Sequence, residues 1–197
     1  MKKTIDDLEI RIFEDVYDPA EDSFLLAENI SISNHDKILE LGSGTGYVSI
    51  YLAKKFPIAE YFTSDINSTA TKCTKLNAFY NTVDLHIVNC DLFSSFIRIK
   101  PYFDVILFNS PYLPVNEKSD LAKAWSGGGG GLEIIRLFIS NLPLFLKPNG
   151  RCYLVVSSYT NIQGMISLIN DINYSFDLID SVIEGREKIL LYLLKSK

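Results

Sequence analysis

The chain has 197 residues, of which 47% are hydrophobic and 22% are charged, a composition that fits one globular domain spanning residues 1–197 with a buried core. Its formal net charge of -5 argues against a protein that holds duplex nucleic acid through its own basic surface, because such binding depends on many Lys and Arg contacts to phosphate. An acidic chain fits a protein or small-molecule substrate better.

The N-terminus and the cysteines indicate the compartment. Residues 1–7 are mostly charged and no apolar leader follows them, and no later segment is as long as a membrane span. Cys73, Cys90 and Cys152 are widely spaced and form no CxxC pair, which predicts reduced thiols rather than a metal site. We therefore expect a soluble, cytoplasmic protein, in which residues 1–15 are an N-terminal extension whose order the sequence leaves open.

From Lys37 onward, short apolar runs alternate with segments of helical period, which is typical of an α/β fold with a mostly parallel sheet. Strands are predicted near 37–41, 60–64, 84–89, 103–108 and 150–156, and helices at 46–56, 67–80, 131–146 and 160–171. Lys147-Pro148-Asn149-Gly150 predicts a turn after the third helix. Residues 176–183 and 189–194 then predict two neighbouring strands.

A glycine-rich turn, Gly42-Ser43-Gly44-Thr45-Gly46, stands between the first predicted strand and the first long helix, where a nucleotide-type turn belongs. The dinucleotide fingerprint needs a glycine at position 47, which is Tyr47, and no Gly-Lys-Ser/Thr sequence follows. Both a pyrophosphate cradle and a Walker A loop are therefore disfavoured. Glu40 would repel a phosphate at this turn but suits a ligand with an ammonium or sulfonium charge.

Two further acids follow the next two predicted strands. Asp65 could accept hydrogen bonds from both hydroxyls of a ribose, and Asp91 could accept one from an amine such as adenine N6. Each acid alone is more often a solvated loop residue or a helix cap. Because parallel strands end at the same edge of a sheet, these acids and Glu40 together predict a site for an adenosyl ligand.

The fourth predicted strand ends at Asn109-Ser110-Pro111-Tyr112. Taken alone, this tetrapeptide favours a β-turn. At the same sheet edge as the acids, an amide and a flat aromatic ring suit a planar amide or amine substrate. Five glycines follow at 127–131, and either a mobile loop on the ligand face or a plain connector remains open.

The chain resembles the class I S-adenosylmethionine-dependent methyltransferases. More narrowly, it is similar to the HemK/PrmC-related protein glutamine N5-methyltransferases in their short archaeal and eukaryotic form. The segments that carry the resemblance are 16–26, 39–46, 63–67, 108–112 and 124–128. It implies a Rossmann-like fold, with a seven-stranded mostly parallel sheet, an antiparallel C-terminal strand and helices on both faces.

The resemblance implies S-adenosyl-L-methionine as the cofactor. The cofactor-binding residues that it implies are Ser23, Glu40, Gly42, Gly44, Gly46, Asp65, Asp91, Leu92 and Asn109. Glu40 and Gly42 would line the methionine end of the cofactor and Asp65 its ribose. Asp91 and Leu92 would line the adenine, while Ser23 would close over the cofactor from the N-terminal segment.

The implied catalytic residues are Asn109, Ser110, Pro111 and Tyr112. Asn109 would accept a hydrogen bond from the substrate's amide nitrogen, and Tyr112 would pack against the plane of the amide. The family pattern is Asn-Pro-Pro-Tyr, so Ser110 departs from it. Serine keeps the backbone carbonyl that this position is expected to contribute, and the loss of proline is expected to loosen the loop.

An amide nitrogen is a poor nucleophile because its lone pair is delocalised. Two oxygen acceptors, the Asn109 side chain and the Ser110 carbonyl, could compensate the charge that develops on it, so catalysis is expected to depend on positioning. The two histidines, His35 and His86, lie at the edges of predicted elements. We expect them to be surface or capping residues rather than general bases.

The implied reaction is methyl transfer to the side-chain amide of a glutamine in the Gly-Gly-Gln loop of a translation termination (peptide chain release) factor. Methyl transfer to adenine N6 or another amino group of a nucleic acid, or to a protein lysine, is an alternative, although the lack of a basic patch favours a protein substrate. A cofactor-free binding module is the non-enzymatic alternative. The resemblance also implies a heterodimer with a small zinc-binding activator subunit, and no contact with a membrane.

Overall fold

The structure, a computed structural model, describes residues 1–96, 101–111 and 132–197. In chain order its elements are β1 (Lys2–Ile5), β2 (Leu8–Arg11), α1 (Glu21–Glu28), β3 (Lys37–Leu41), α2 (Tyr47–Lys55), β4 (Glu60–Asp65), α3 (Ser68–Tyr80), β5 (His86–Asn89), β6 (Phe103–Asn109), α4 (Leu132–Phe145), β7 (Leu146–Ser157), α5 (Ile162–Asp171), β8 (Tyr174–Glu184) and β9 (Glu187–Ser196). Every strand and helix predicted from Lys37 onward is present. None of the helices in the described ranges is long and apolar enough to cross a bilayer.

The main sheet has seven strands in the order β5-β4-β3-β6-β7-β9-β8. The first five strands of this order pair in parallel, and β9 runs antiparallel to both of its neighbours. The prediction of a mostly parallel seven-stranded sheet with an antiparallel C-terminal strand is confirmed. The strand order reverses between β3 and β6, and open α/β sheets bind their ligands at such a switch point.

The sheet is buried on both faces, as its central strand β6 makes clear. Val105 and Leu107 belong to a core that includes residues of α1 and α2, whereas Ile106 and Phe108 belong to a second core that includes residues of α4 and α5. A continuous apolar run is what a strand covered on both faces requires. This packing fixes β6 in the middle of the sheet, with its C-terminal end at the switch point.

The elements before residue 37 were not identified from the sequence. β1 and β2 pair antiparallel and form a separate two-stranded sheet, which we call the N-terminal hairpin. The alternation of buried Leu8 and Ile10 with polar residues is a strand signal. Pro19, followed by Glu21 and Asp22 in the first helical turn of α1, is a helix-start signal.

The turn predicted at 147–150 lies inside β7 rather than before it. Phe103 pairs with Leu146 and Val105 pairs with Arg151, so residues 147–150 bulge out of the ladder. Asn149 has a positive φ of 65°, as its turn chemistry predicts. The strand is therefore interrupted by a turn and does not begin after it.

Candidate functional site

A cavity of about 640 Å³ lies at the switch point, where residues that follow or end β3, β4 and β6 meet. The predicted site residues that line it are Ser23, Glu40, Gly42, Gly44, Asp65, Asp91, Leu92, Asn109, Ser110 and Pro111. Gly46 is not among the lining residues. Tyr112 and the predicted loop at 127–131 lie outside the described residues.

The glycine turn is built from alternating left-handed residues. The φ angles of Gly42, Gly44 and Gly46 are 71°, 54° and 81°, a region that favours glycine because it has no Cβ. The N–H groups of Gly42 and Ser43 both donate to the carbonyl of Ser64, at 2.8 and 3.0 Å. The turn is thereby fastened to the end of β4, which brings Glu40 and Asp65 to the same cavity.

Gly46 has a packing role at the start of α2. A Cβ at this position would lie 2.7 Å from Cγ2 of Thr74. We expect Gly46→Ala to lower the free energy of unfolding by about 3 kcal/mol in urea titrations, because overpacking adds to the strain of a left-handed backbone. Gly185→Ala is the control, since Gly185 has a φ of +61° but nothing within 4 Å of a Cβ; an equal loss there would contradict the packing argument.

Glu40 is a buried acid that faces the cavity. The residue is 4% exposed, and burial raises its pKa to about 8. Two hydrogen bonds from Ser49 oppose this shift, and the charge of Asp65 adds to it. The Ser49 N–H donates to Oε2 at 3.1 Å and the Ser49 hydroxyl donates to the same oxygen. Within the described part of the chain Oε1 accepts no hydrogen bond, so a cation in the cavity would favour ionised Glu40.

Asp65 is held rigidly at the end of β4. Its Oδ2 accepts from the Gly44 N–H at 2.9 Å, and its Oδ1 accepts from the Asn67 N–H at 2.8 Å. Burial raises the pKa of this carboxyl, and the two backbone hydrogen bonds oppose the increase. Each oxygen keeps a lone pair, so the carboxylate can accept two further hydrogen bonds from a ligand in the cavity.

The loop after β5 carries backbone strain at the cavity wall. Leu92 has a φ of 42°, which is uncommon for a bulky residue without the freedom of glycine. The Cys90 thiol donates to the Leu92 carbonyl at 3.3 Å, and Asp91 between them is exposed and lines the cavity. Strain of this kind is concentrated at ligand sites, where surrounding contacts hold it in place.

Asn109 is the last residue of β6 and lines the cavity. Its Oδ1 is buried and accepts no hydrogen bond from any residue that the structure describes. Burying a polar atom without a hydrogen-bond partner is unfavourable, so such atoms are rare in folded proteins and often mark a functional site. A hydrogen-bond donor on a ligand would supply the missing partner.

Ser110 is hydrogen-bonded to the neighbouring strand, while the loosening expected from the sequence concerns the loop after Pro111, which lies outside the described residues. Its N–H and its hydroxyl both donate to the Val155 carbonyl in β7, at 3.3 and 2.7 Å. Proline could make neither bond, because it has no N–H and no hydroxyl. Serine at this position therefore ties the end of β6 to the neighbouring strand by hydrogen bonds.

Two residues of the cavity wall received no role from the sequence, although they lie in segment 16–26. The Tyr17 hydroxyl donates to Oδ2 of Asp22 at 3.0 Å. Oδ1 of Asp22 accepts from the Ser23 hydroxyl at 3.1 Å, and all three residues line the cavity. The acidic start of α1 is the signal that could have identified Asp22.

Neither histidine lines the cavity. His86 is exposed at the start of β5, where its ring stacks on Phe62 with the centroids 4.6 Å apart. His35 is exposed in the turn before β3. The interpretation of both residues as surface residues agrees with these positions.

Comparisons with known proteins identify the family. A family model described as the methyltransferase small domain matches residues 14–184. A protein of Methanocaldococcus jannaschii, provisionally named a protein N5-glutamine methyltransferase, is 37% identical over 178 residues, which cover 88% of each chain. The methyltransferase HEMK2 of Homo sapiens is 35% identical over 168 residues, which cover 80% of this chain and 78% of the relative.

Solved structures share the fold. The E. cuniculi Mtq2-Trm112 complex, responsible for methylation of the eRF1 termination factor, matches with a TM-score of 0.70 at 22% identity and covers 93% of this chain and 100% of that one. The T. thermophilus 16S rRNA N2 G1207 methyltransferase, in complex with AdoMet and guanosine, matches with a TM-score of 0.74 at 17% identity and covers 100% of this chain and 50% of that one. The chain therefore belongs to the methyltransferase small domain family, and it is a class I, S-adenosylmethionine-dependent methyltransferase related to the HemK group.

Proposed function

We propose that this methyltransferase modifies the side-chain amide nitrogen of a glutamine in a protein, namely the glutamine of a Gly-Gly-Gln loop in a translation termination factor. The observation that carries the proposal is the buried Oδ1 of Asn109, which lacks a partner among the described residues and borders the cavity. An amide N–H of the substrate is a donor of the kind that this atom needs. The catalytic subunit mtq2 of Schizosaccharomyces pombe, named an eRF1 methyltransferase, supports the substrate class at 29% identity over 189 residues.

The cavity fits S-adenosylmethionine at its methionine and ribose ends. Glu40 and Gly42 would hold the end that carries the ammonium group, because Glu40 is buried and gains a counter-ion there. Asp65 would hold the ribose through the lone pairs that its backbone bonds leave free. Gly44 lines the same wall, and Gly46 supports it from behind by its packing on Thr74.

The adenine end of the cofactor would lie at the loop after β5. Asp91 would accept a hydrogen bond from the exocyclic amine, and Leu92 would cover one face of the ring. Ser23 lines the same cavity from the first turn of α1 and would close over the cofactor from the N-terminal segment. Asp91 and Leu92 come from one part of the chain and Ser23 from another, distant part, and all three line one cavity, which supports this assignment.

The mechanism follows from the chemistry of an amide. When bound, S-adenosylmethionine supplies an electrophilic methyl group on a sulfonium sulfur. Oδ1 of Asn109 and the carbonyl of Ser110 would accept hydrogen bonds from the substrate's NH₂ group and stabilise the positive charge that develops on nitrogen. One N–H proton then leaves to solvent. Pro111 restricts the backbone beside these acceptors, and Tyr112 is proposed, from the motif alone, to pack against the amide plane.

The charge around the cavity favours a protein over a nucleic acid. A second groove shares Tyr17 and Pro19 with the cavity, and it is lined by the carboxylates of Asp18, Glu21, Glu184 and Glu187 and by Lys3. Lys3 pairs with Asp18 at 2.5 Å, and the acids outnumber this one cation. Burial and the neighbouring acids raise the pKa of Glu184. A phosphate backbone laid across this groove would be repelled, so methyl transfer to a nucleic-acid base is the weaker candidate.

We also propose that this chain forms a heterodimer with a second, smaller chain. Phe79 and Tyr80, at the end of α3, are 76% and 43% exposed. Helix α3 packs against β5, which is an edge strand of the main sheet, and an edge strand beside a helix that carries exposed aromatic residues suits a partner chain. The partner would be a small activator subunit, proposed from the family resemblance to bind zinc, and co-purification of the two chains tests the pairing.

Mass spectrometry of a termination factor incubated with the enzyme and S-adenosylmethionine tests the proposed substrate. We expect the mass of one methylene unit to be added at the glutamine of the Gly-Gly-Gln loop. A substrate variant with that glutamine replaced by glutamate is the control, because it has no side-chain amide and should stay unmodified. Methyl groups found on lysine, or on adenine in added RNA or DNA, would overturn the glutamine proposal in favour of those alternatives.

A further inference from the structure

Two asparagine side chains hold the N-terminal hairpin, Asn77 in helix α3 and Asn81 directly after it. Oδ1 of Asn81 accepts from the Glu9 N–H at 3.0 Å, and its Nδ2 donates to the Glu9 carbonyl at 2.9 Å. Asn77 makes the same pair of bonds with Arg11, at 2.9 and 2.8 Å. The amides thus satisfy the outer edge of β2, which would otherwise present unpaired backbone groups.

Asn77 differs from Asn81 in its third bond. The amide of Asn77 also donates to the carbonyl of Thr45 in the glycine turn, at 2.9 Å. The amide of Asn81 donates instead to the carbonyl of Asn77 within α3, at 2.8 Å. Asn77 is 0% exposed, and its two N–H groups each reach a different segment of backbone. One buried side chain therefore joins the hairpin to the glycine turn.

The rest of the glycine turn also rests on α3. The Thr74 hydroxyl donates to the Gly44 carbonyl at 3.1 Å, so its oxygen is free to accept from the Ser43 hydroxyl, 3.0 Å away. Gly44 in turn donates its N–H to Asp65. Any shift of the turn relative to α3 would therefore move groups that line the cavity.

The hairpin reaches the cavity only indirectly. None of residues 1–12, all of which the structure describes, lines it. The segment that follows the hairpin does: Val16 packs on Ala70 and Cys73 of α3 and, with Tyr17, forms part of the cavity wall. The docking of the hairpin on α3 thus fixes where this part of the wall begins.

We propose that Asn77 is a positioning residue for cofactor binding, because it fixes the glycine turn and the N-terminal hairpin as one unit. The inference rests on the place proposed for S-adenosylmethionine in the cavity. By linkage, docking of the hairpin strengthens cofactor binding, and cofactor binding strengthens docking of the hairpin by the same factor. The coupling needs no contact between the hairpin and the cofactor.

Hydrogen exchange of the wild-type protein tests this coupling without any substitution. We expect saturating S-adenosylmethionine to slow exchange of the Arg11 amide by about tenfold, as a coupling of ordinary size would. The control amides are those of the exposed edge strand β8, which contributes no lining residue to the cavity. Their exchange rates should not change. Bound cofactor with unchanged exchange at Arg11 would overturn the inference and leave the proposed function standing. A wild-type protein that binds no cofactor would overturn both.

A matched pair of variants, Asn77→Leu and Asn81→Leu, separates positioning from stability. Both remove two hydrogen bonds to the hairpin, and only the first also removes the bond to the glycine turn. We expect the Kd for S-adenosylmethionine to rise about tenfold in Asn77→Leu and less than about threefold in Asn81→Leu, with kcat at saturating cofactor within about twofold of wild type for both. Equal changes in Kd would assign Asn77 a structural role only, and the exchange measurement decides the matter if Asn77→Leu does not fold.

Discussion

Replacement of Asn109 by alanine is expected to lower kcat for methyl transfer by about a hundredfold, since removing one preorganised group that stabilises transition-state charge costs enzymes this much or more. The Oδ1 of Asn109 has no partner among the described residues, so none of their hydrogen bonds has to break before it accepts one from the substrate. Rates are measured at saturating cofactor and termination factor, which separates the chemical step from binding.

Two further variants decide whether the acceptor atom itself is responsible. Asn109→Asp keeps an acceptor oxygen at the Oδ1 position and replaces the NH₂ donors with a second, negatively charged oxygen, so it should retain more activity than Asn109→Ala. Asn170→Ala removes an exposed amide at the end of α5 and should leave kcat unchanged. Full methyl transfer by Asn109→Ala would remove the basis of the proposed mechanism.

Cofactor affinity is expected to depend steeply on pH because of Glu40. In the cofactor-free protein its pKa is raised to about 8, so the carboxyl is mostly protonated at pH 6.5. A bound ammonium or sulfonium group favours the carboxylate and lowers this pKa. Binding must therefore release a proton below pH 8, and the Kd should fall about tenfold for each pH unit between the pKa of the complex and pH 8.

Titration calorimetry at pH 6.5, in two buffers with different heats of ionisation, measures the released proton directly. At this pH the amine of the cofactor is already protonated, so the signal belongs to the protein. Glu40→Gln should bind more weakly, release no proton and show little dependence on pH in this range. A wild-type Kd that stays constant from pH 6 to 8 would show that Glu40 does not meet the cationic end of the cofactor.

The raised pKa of Glu40 also makes the stability of the folded protein depend on pH. The raised pKa of Glu40, from its ordinary value of 4.5 to about 8, means that the folded chain holds this proton between these pH values, where the unfolded chain has lost it. The cofactor-free protein should therefore lose stability as the pH rises from about 4.5 to about 8. Bound S-adenosylmethionine should reduce this loss, because it favours the ionised form that high pH produces.

The central part of the fold could be predicted because its signals are local. Apolar runs such as Phe103–Asn109 and the glycine turn before α2 are visible within a few residues, and together they predict the sheet and its ligand edge. The elements before residue 37 were missed because they are short. β2 has only four residues, and its outer edge is satisfied by Asn77 and Asn81, side chains that lie far away in the sequence.

The site residues also divide into those that local sequence signals predict and those that depend on distant contacts. Glu40, Asp65 and Asn109 end or nearly end predicted strands, and the parallel sheet brings them together without further information. At position 46, by contrast, glycine is required because a Cβ would meet Thr74. No spacing rule indicates this contact. Ser110 is a similar case, because its hydrogen bonds to Val155 depend on the register of β6 against β7. Long-range contacts of this kind require the structure.

The position of β6 in the sheet has a consequence for the order of assembly. β6 lies between β3, which precedes it by about sixty residues, and β7, which follows it. Contacts between distant segments form late in folding, because a long loop must close before they can stabilise the chain. A nascent chain in which only β1 to β5 have been synthesised can form the glycine turn but lacks Asn109. The capacity to methylate therefore requires that β6 has taken its place in the sheet between β3 and β7.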